Sequence, residues 1–239
     1  VMPTVFEGTG TQENPYLIKT ADDLVRLSTL VADGLSFVGE YFKMVADITL
    51  PASWEPIGKD LLKPFSGNFD GGNHLLTIPE GGLPLIGTPR DASLSNLNVY
   101  GSQIAGYGVV NGYTNDQSYH PAITIDNVTL KAGTKTLKSG FIGGYASGQN
   151  AVIIKNSTVE KGVTIGYSKS EPRIGSFGGE FNGTISTNRS MNQFHGGTFN
   201  GSLFMSVDSS AYTLIAGGTF AKLSNMMGSA LNSGKFTIG

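Results

Sequence analysis

The chain has 239 residues, 14% of them charged, with 34 glycines, no cysteine and a formal net charge of -2. Disulfides, thiolate metal sites and a cysteine nucleophile are therefore excluded, and charges spread without runs leave no electrostatic footprint for nucleic acid or an anionic membrane. The charged fraction is well under the roughly 25% of ordinary domains and glycine is about double its usual share, which predicts turns in place of exposed helices.

No apolar run approaches the 18 or so residues needed to span a bilayer, so membrane insertion is not expected. Val1 to Thr4 carries neither the charged nor the apolar region of a signal peptide. At this length a single all-β domain with a sizeable core is the expectation.

In chain order, Phe6 to Pro15 reads as a run of turns, followed by a short strand at Tyr16 to Ile18. From Ala21 the period changes: Leu24, Leu27, Leu30 and Val31 fall at helical spacing, Thr20 is placed as N-cap, and Asp23 stands three residues on as in a capping box. Asp33-Gly34 ends this helix, because glycine takes the left-handed conformation freely. One amphipathic helix ahead of a β array is expected to cover the open end of the array.

Tyr41 to Leu50 holds two short strand candidates, the second closed by Pro51. Trp54 to Ile78 then sets single apolar residues between glycines and small polar residues, which suits short strands and tight turns and reads as the first full turn of a stacked solenoid. Between Pro79 and Pro89 the chain is loop-like, with a short apolar piece at Leu83 to Ile86.

A repeat follows. Aliphatic residues closely precede Asn96, Asn127, Asn156 and Asn188, which are separated by 31, 29 and 32 residues. Gly-containing segments at 108–113, 141–145, 176–181, 194–199 and 215–220 alternate with them, the last two only 21 residues apart, counting Gly197 to Gly218. Periods of this size signal solenoids, in which inward apolar residues stack on their equivalents one layer away. The Asn residues then form ladders, tolerating positive φ at a corner while their amides bond along the stack. The C-terminal Ser233 to Gly239 reads as a further strand.

The run from Phe6 to Thr20, the helix with Leu24 and Leu27, Tyr41 to Lys43 with Asp47-Ile48, Trp54 to Gly58, and Pro64 to Gly71 together resemble the N-terminal module of bacterial surface proteins carrying GLUG-type repeats. Similar modules occur in large adhesins and in the non-catalytic region of immunoglobulin-A-cleaving metallopeptidases. The resemblance implies an all-β fold, a single-stranded right-handed parallel β-helix (solenoid) with a short N-terminal capping α-helix, at the cell surface or outside the cell. It implies one domain over 1–239, with 1–50 as leading strands and capping helix and 51–239 as solenoid coils. Adhesion or spacing is the implied role. This chain departs from the pattern at Gly72 to Ile78, which is longer than the usual run.

No His-Glu-x-x-His, Gly-x-Ser-x-Gly or phosphate-loop pattern occurs, and His74, His120 and His195 lie far apart, so no catalytic constellation, metal site or cofactor is expected. A carbohydrate-active enzyme is the alternative, needing two carboxyl groups in one groove. Asp47, Asp60, Asp70, Asp91, Asp116 and Asp126 are available for it in the first half. Tyr107, Tyr113, Tyr119, Tyr145 and Tyr167 flank glycine-rich turns and are the candidate binding residues, with aromatic faces suited to sugar rings or to a host glycoprotein. A purely structural segment is the third reading. The five Asn-x-Ser/Thr sequons at Asn127, Asn156, Asn182, Asn188 and Asn200 carry no assigned role.

Overall fold

The computed structural model describes residues 5–111, 123–137, 152–160 and 162–165, together with strand segments 191–195, 198–199, 212–216, 219–220 and 235–238. The first elements are β1 (Tyr16–Ile18), α1 (Ala21–Ala32), β2 (Tyr41–Met44), β3 (Ile48–Thr49), β4 (Asn68–Asp70), β5 (Leu75–Thr77), β6 (Ala92–Tyr100), β7 (Ile123–Leu130) and β8 (Lys135–Thr136). After them come β9 (Val152–Lys155), β10 (Thr158–Val159), β11 (Thr164–Ile165), β12 (Met191–His195), β13 (Thr198–Phe199), β14 (Tyr212–Ala216), β15 (Thr219–Phe220) and β16 (Lys235–Ile238).

The pairings between these strands are parallel, and each strand pairs with the equivalent strand of a neighbouring layer. A first ladder runs β1-β2-β4-β6-β7-β9-β12-β14-β16, and β3, β5, β10, β13 and β15 pair beside it. Isolated bridges Ile57–Ile86–Val110 mark a third line of contact. The offset between partners varies from layer to layer. Phe42 pairs with Phe69 and Leu94 with Ile125, whereas the late pair Phe199 with Phe220 is only 21 residues apart, as the closing Gly-Gly segments predict.

The core follows from this register. Phe42, Phe69, Leu94 and Ile125 occupy successive positions of the first ladder, Ile48, Leu76, Val99 and Leu130 those of the second, and Ile57, Ile86 and Val110 those of the third; all are buried. Parallel strands lie about 4.8 Å apart, so each side chain meets its equivalents above and below. A layer of this size could not bury these residues by itself; the stack does so.

Both β6 and β7 carry the first and second ladders in one continuous strand. The corner between the ladders is made by a residue in the left-handed conformation, Asn96 (φ 54°) in β6 and Asn127 (φ 56°) in β7. The turn lets Leu94 and Leu97 both face inward despite being three residues apart, which a straight strand of period two cannot do. Asn156 (φ 49°) repeats the device after β9, and Asn73 (φ 61°) supplies it between β4 and β5. The Asn ladder expected at 96, 127 and 156 is thus present and gains Asn73, while Asn188 lies outside the described residues.

At the β1 end of the sheet the predicted helix appears with the predicted boundaries. Thr20 is the N-cap, its hydroxyl accepting from the Asp23 N–H while the Asp23 carboxylate accepts from the Thr20 N–H, and Gly34 follows with φ 107°. Leu24, Leu27 and Val31 are fully buried in the common core, and Ser28 Oγ donates to the Glu55 carbonyl at 2.7 Å, tying the helix to the next layer. Rings of Phe6, Tyr16, Phe37, Phe42 and Phe65 pack in tilted or edge contacts at 5.1–6.1 Å and fill the core at this end.

The ladder starts earlier than Trp54. Tyr16–Ile18 already pairs with Phe42–Met44, and Ile48–Thr49 with Leu76–Thr77, so the 54–78 stretch is a later layer of a stack that begins in the first twenty residues. Within that stretch, Trp54 is buried with its indole N–H donating to the Pro84 carbonyl at 2.9 Å. Gly58 (φ 78°) is required where it stands, since a Cβ there would lie 2.7 Å from the Thr88 carbonyl oxygen.

Candidate functional site

Strand alternation sends every second residue of the first ladder outward, and in register these residues form two polar rows. One is Lys43, Asp70, Ser95 and Asp126; the other is Tyr41, Asn68, Ser93 and Thr124. Where the rows approach the β1 end, the turn-rich segment 9–15 rises beside them, and a groove of about 580 Å³ lies between segment and sheet. Gln12 and Glu13 form one wall. Tyr41, Lys43, Asp70 and Ser95 lie along the other.

The wall at 9–15 is held by its own turns. The Thr9 and Gly10 N–H groups both donate to the Asn14 carbonyl at 3.0 Å, and the Asn14 N–H donates to Thr11 Oγ1 at 3.1 Å. Its Gly10 carbonyl accepts from the Tyr41 N–H at 2.9 Å, which fastens wall to floor. On the inward side of β1, Tyr16 packs against Phe6 and Phe42 and its hydroxyl donates to Glu40 Oε1 at 3.1 Å; burial, and then the Glu40 carboxylate, push the Tyr16 phenol above its ordinary pKa.

On the floor, some polar side chains are locked and others are open. Ser93 Oγ donates to Asn68 Oδ1 at 2.7 Å, and Asn68 Nδ2 donates to the Glu40 carbonyl at 3.3 Å. Asp70 Oδ1 accepts from the Gly72 N–H at 2.8 Å and from Asn96 Nδ2 at 3.2 Å. Asp70 Oδ2, the Lys43 ammonium, the Tyr41 hydroxyl and Ser95 Oγ make no hydrogen bond or ion pair among the described residues.

The amides of the corner residues join the layers. Asn127 Nδ2 donates to Asn96 Oδ1 at 2.9 Å, and Asn156 Nδ2 to Asp126 Oδ1 at 3.0 Å. Asp126 therefore has the same kind of partner as Asp70, an Asn amide from the following layer. At the adjacent corner, the exposed Asp47 carboxylate accepts from the Leu75 N–H at 2.9 Å and pairs with His74 Nδ1 at 3.1 Å. The Leu75 bond first, and then His74, hold the Asp47 carboxyl below its ordinary 3.8. Among the described residues no group of three or more His, Asp or Glu side chains could hold a metal ion, and no helix is long and apolar enough to cross a membrane.

Of the tyrosines singled out from the sequence, Tyr107 is half-buried in the stretch leading to Val110. Tyr113, Tyr119, Tyr145 and Tyr167 lie outside the described residues, as do Asp116 and His120. The groove instead uses Tyr41 and Lys43, which the sequence reading passed over. The available signal was strand parity: both stand at alternate positions of a four-residue strand whose other members, Phe42 and Met44, are buried.

No family model matches the chain. A Gly-rich membrane protein, so named provisionally, from Evansella cellulosilytica is 30% identical over 164 residues, which are 65% of this chain and 15% of that protein. This chain thus spans a small part of its relative's length. Among solved structures, a Bacteroides ovatus protein provisionally described as an immunoglobulin A1 protease superposes with a TM-score of 0.58 at 16% identity, covering 89% of this chain and 69% of that one. At that identity the likeness is one of fold.

Proposed function

We propose that the chain is a non-catalytic adhesion or spacer module of a bacterial surface protein, built as one right-handed parallel β-helix over 1–239. The observation that carries this reading is the parallel, in-register ladder from Tyr16 to Ile238, with the apolar side chains of its first and second lines stacked and buried from Phe42 to Leu130. Crossovers between adjacent parallel strands are right-handed in nearly all proteins, which supplies the hand. The GLUG-type resemblance, the name of the Evansella relative and the Bacteroides fold neighbour all support a place at the bacterial surface or outside the cell.

The carbohydrate-active alternative has one observation in its favour. Asp70 and Asp126 share an outward row with Ser95 between them, so their backbones stand about two interstrand spacings, roughly 9.6 Å, apart. That separation is near the range used by inverting glycosidases, about 6.5–9.5 Å. Each carboxylate, however, is engaged by an Asn amide of the corner ladder, which suits a structural role. The non-catalytic reading is therefore preferred.

The test is a panel of purified polysaccharides and host glycoproteins incubated with the protein, scoring retention and, by mass spectrometry, shortened products. Retention without products is expected of an adhesin, and neither signal of a spacer. Shortened glycan chains that persist in repeat preparations and vanish in Asp126→Asn would overturn the proposal.

A further inference from the structure

We infer that the groove between segment 9–15 and the β2-β4-β6 floor is a binding site for an uncharged glycan segment. This rests on the adhesion reading and names the ligand class and the residues.

The groove is built before any ligand arrives. Its wall is fixed by the Asn14 turn bonds and by Tyr41 N–H to Gly10, and its floor by ladder bonds and by the Ser93–Asn68 pair. A site fixed in this way loses little conformational entropy on binding. Its volume, about 580 Å³, is within the roughly 300–1,000 Å³ of small-ligand sites.

The unengaged groups fit hydroxyls of a sugar. Asp70 Oδ2 is an acceptor, the Lys43 ammonium a donor, and the Tyr41 and Ser95 hydroxyls act as either. A sugar hydroxyl is itself both donor and acceptor, so it satisfies such a mixed set where an ion of one sign does not. Tyr41 also adds an aromatic surface, which accepts the apolar face of a pyranose ring.

Two other ligand classes fit less well. The lining carries two carboxylates, Glu13 and Asp70, against one ammonium, Lys43, so a uronate or sulfate polymer would meet net like charge. A peptide adding as a strand would need a free sheet edge, and the floor strand β4 is paired on both sides. An uncharged polyhydroxylated chain avoids both difficulties.

The experiment immobilises neutral polysaccharides (a soluble β-glucan, a galactomannan and poly-N-acetyllactosamine) and acidic ones (polygalacturonate and hyaluronan), then measures saturable binding of the wild-type protein, Tyr41→Ala, Ser95→Val and Tyr107→Ala. Thermal melting of each variant confirms that it is folded, and Ser95→Val serves as a second probe because a β-branched residue suits its strand position. The expected result is binding to a neutral polysaccharide that weakens about tenfold or more in Tyr41→Ala and in Ser95→Val and is unchanged in Tyr107→Ala. Neutral-glycan binding that both groove variants retain would overturn the site while leaving the adhesion reading in place. Binding confined to the acidic polymers, or none to any of the five, would overturn the uncharged-glycan assignment, whereas shortened products from the wild-type protein would strike the non-catalytic reading itself.

Discussion

Asp47 shows how much one exposed side chain can do at a corner of the stack. Its carboxylate accepts from the Leu75 N–H, a main-chain donor at the start of β5, and also faces His74. Because these bonds lower the Asp47 pKa in the folded protein beneath its ordinary 3.8, the folded state binds this proton less readily than the unfolded chain does. The contribution is therefore fully present above about 3.8 and is lost as the pH falls through the lower, folded value. Urea unfolding of the wild type and Asp47→Ala should thus give midpoints that differ near pH 6 and converge towards pH 2. A difference that persists unchanged to the acid limit would assign the effect to packing at the corner, not to the ionised carboxylate. The sequence displays Asp47 and His74 as residues 27 apart with no motif between them. Only the parallel register of β3 and β5 makes them neighbours.

At the scale of the element, β6 is two short strands made continuous by one residue. Ala92 to Ser95 belongs to the first ladder, Asn98 to Tyr100 to the second, and Asn96 turns the chain between them at φ 54°. An L-residue without the local hydrogen bonding of Asn or Asp, alanine included, is strained there by roughly 1–2 kcal/mol, whereas glycine is not. Asn96 also donates to Asp70 Oδ1 and accepts from Asn127 Nδ2, and a net hydrogen bond is worth about 1 kcal/mol. Asn96→Ala, which loses both the conformational fit and the bonds, should therefore lower stability by about 3 kcal/mol, and Asn96→Gly by about 2 kcal/mol. Chemical denaturation of the two variants measures the gap between them, and equal losses would show that conformation at this corner contributes nothing. The Asn repeat was legible in the sequence at 96, 127 and 156 because those residues recur at nearly constant spacing. Asn73 was not, since it sits inside a Gly-Gly-Asn-His turn whose text differs from the later corners although its backbone does the same work. The helix was legible for a different reason: Thr20, Asp23 and the apolar residues at 24, 27 and 31 form a local code that needs no partner layer. The groove was illegible because its rows join Lys43, Asp70 and Ser95 across offsets of unequal length, and its wall comes from a turn segment near the start of the chain.

At the scale of the whole molecule, the proposed β-helix predicts that each layer's stability comes largely from its immediate neighbours. Strand β1 has one ladder partner in the sheet, whereas β6 pairs with β4 and β5 on one side and with β7 on the other. Amides of β6 should therefore exchange with solvent through larger and rarer openings than those of β1, which can detach by opening one boundary. Leu94→Ala separates this picture from a single all-or-none unit. Leu94 is fully buried between Phe69 and Ile125, and truncating such a leucine costs about 3 kcal/mol, which is roughly a hundredfold in an opening equilibrium. If stability is passed between neighbouring layers, hydrogen exchange in β4, β6 and β7 should speed by about that factor while exchange in β1, already governed by opening at its own boundary, changes little. A uniform hundredfold loss from β1 through β7 would mean that the aromatic cluster and α1 bind the first layers so firmly to the rest that the end of the stack cannot open by itself. In that case the groove, whose floor is β2, β4 and β6, would owe its fixed shape to the entire stack. On the nearest-neighbour picture it depends only on the layers that touch it, and the chain could lengthen or shorten beyond β7 without altering the groove.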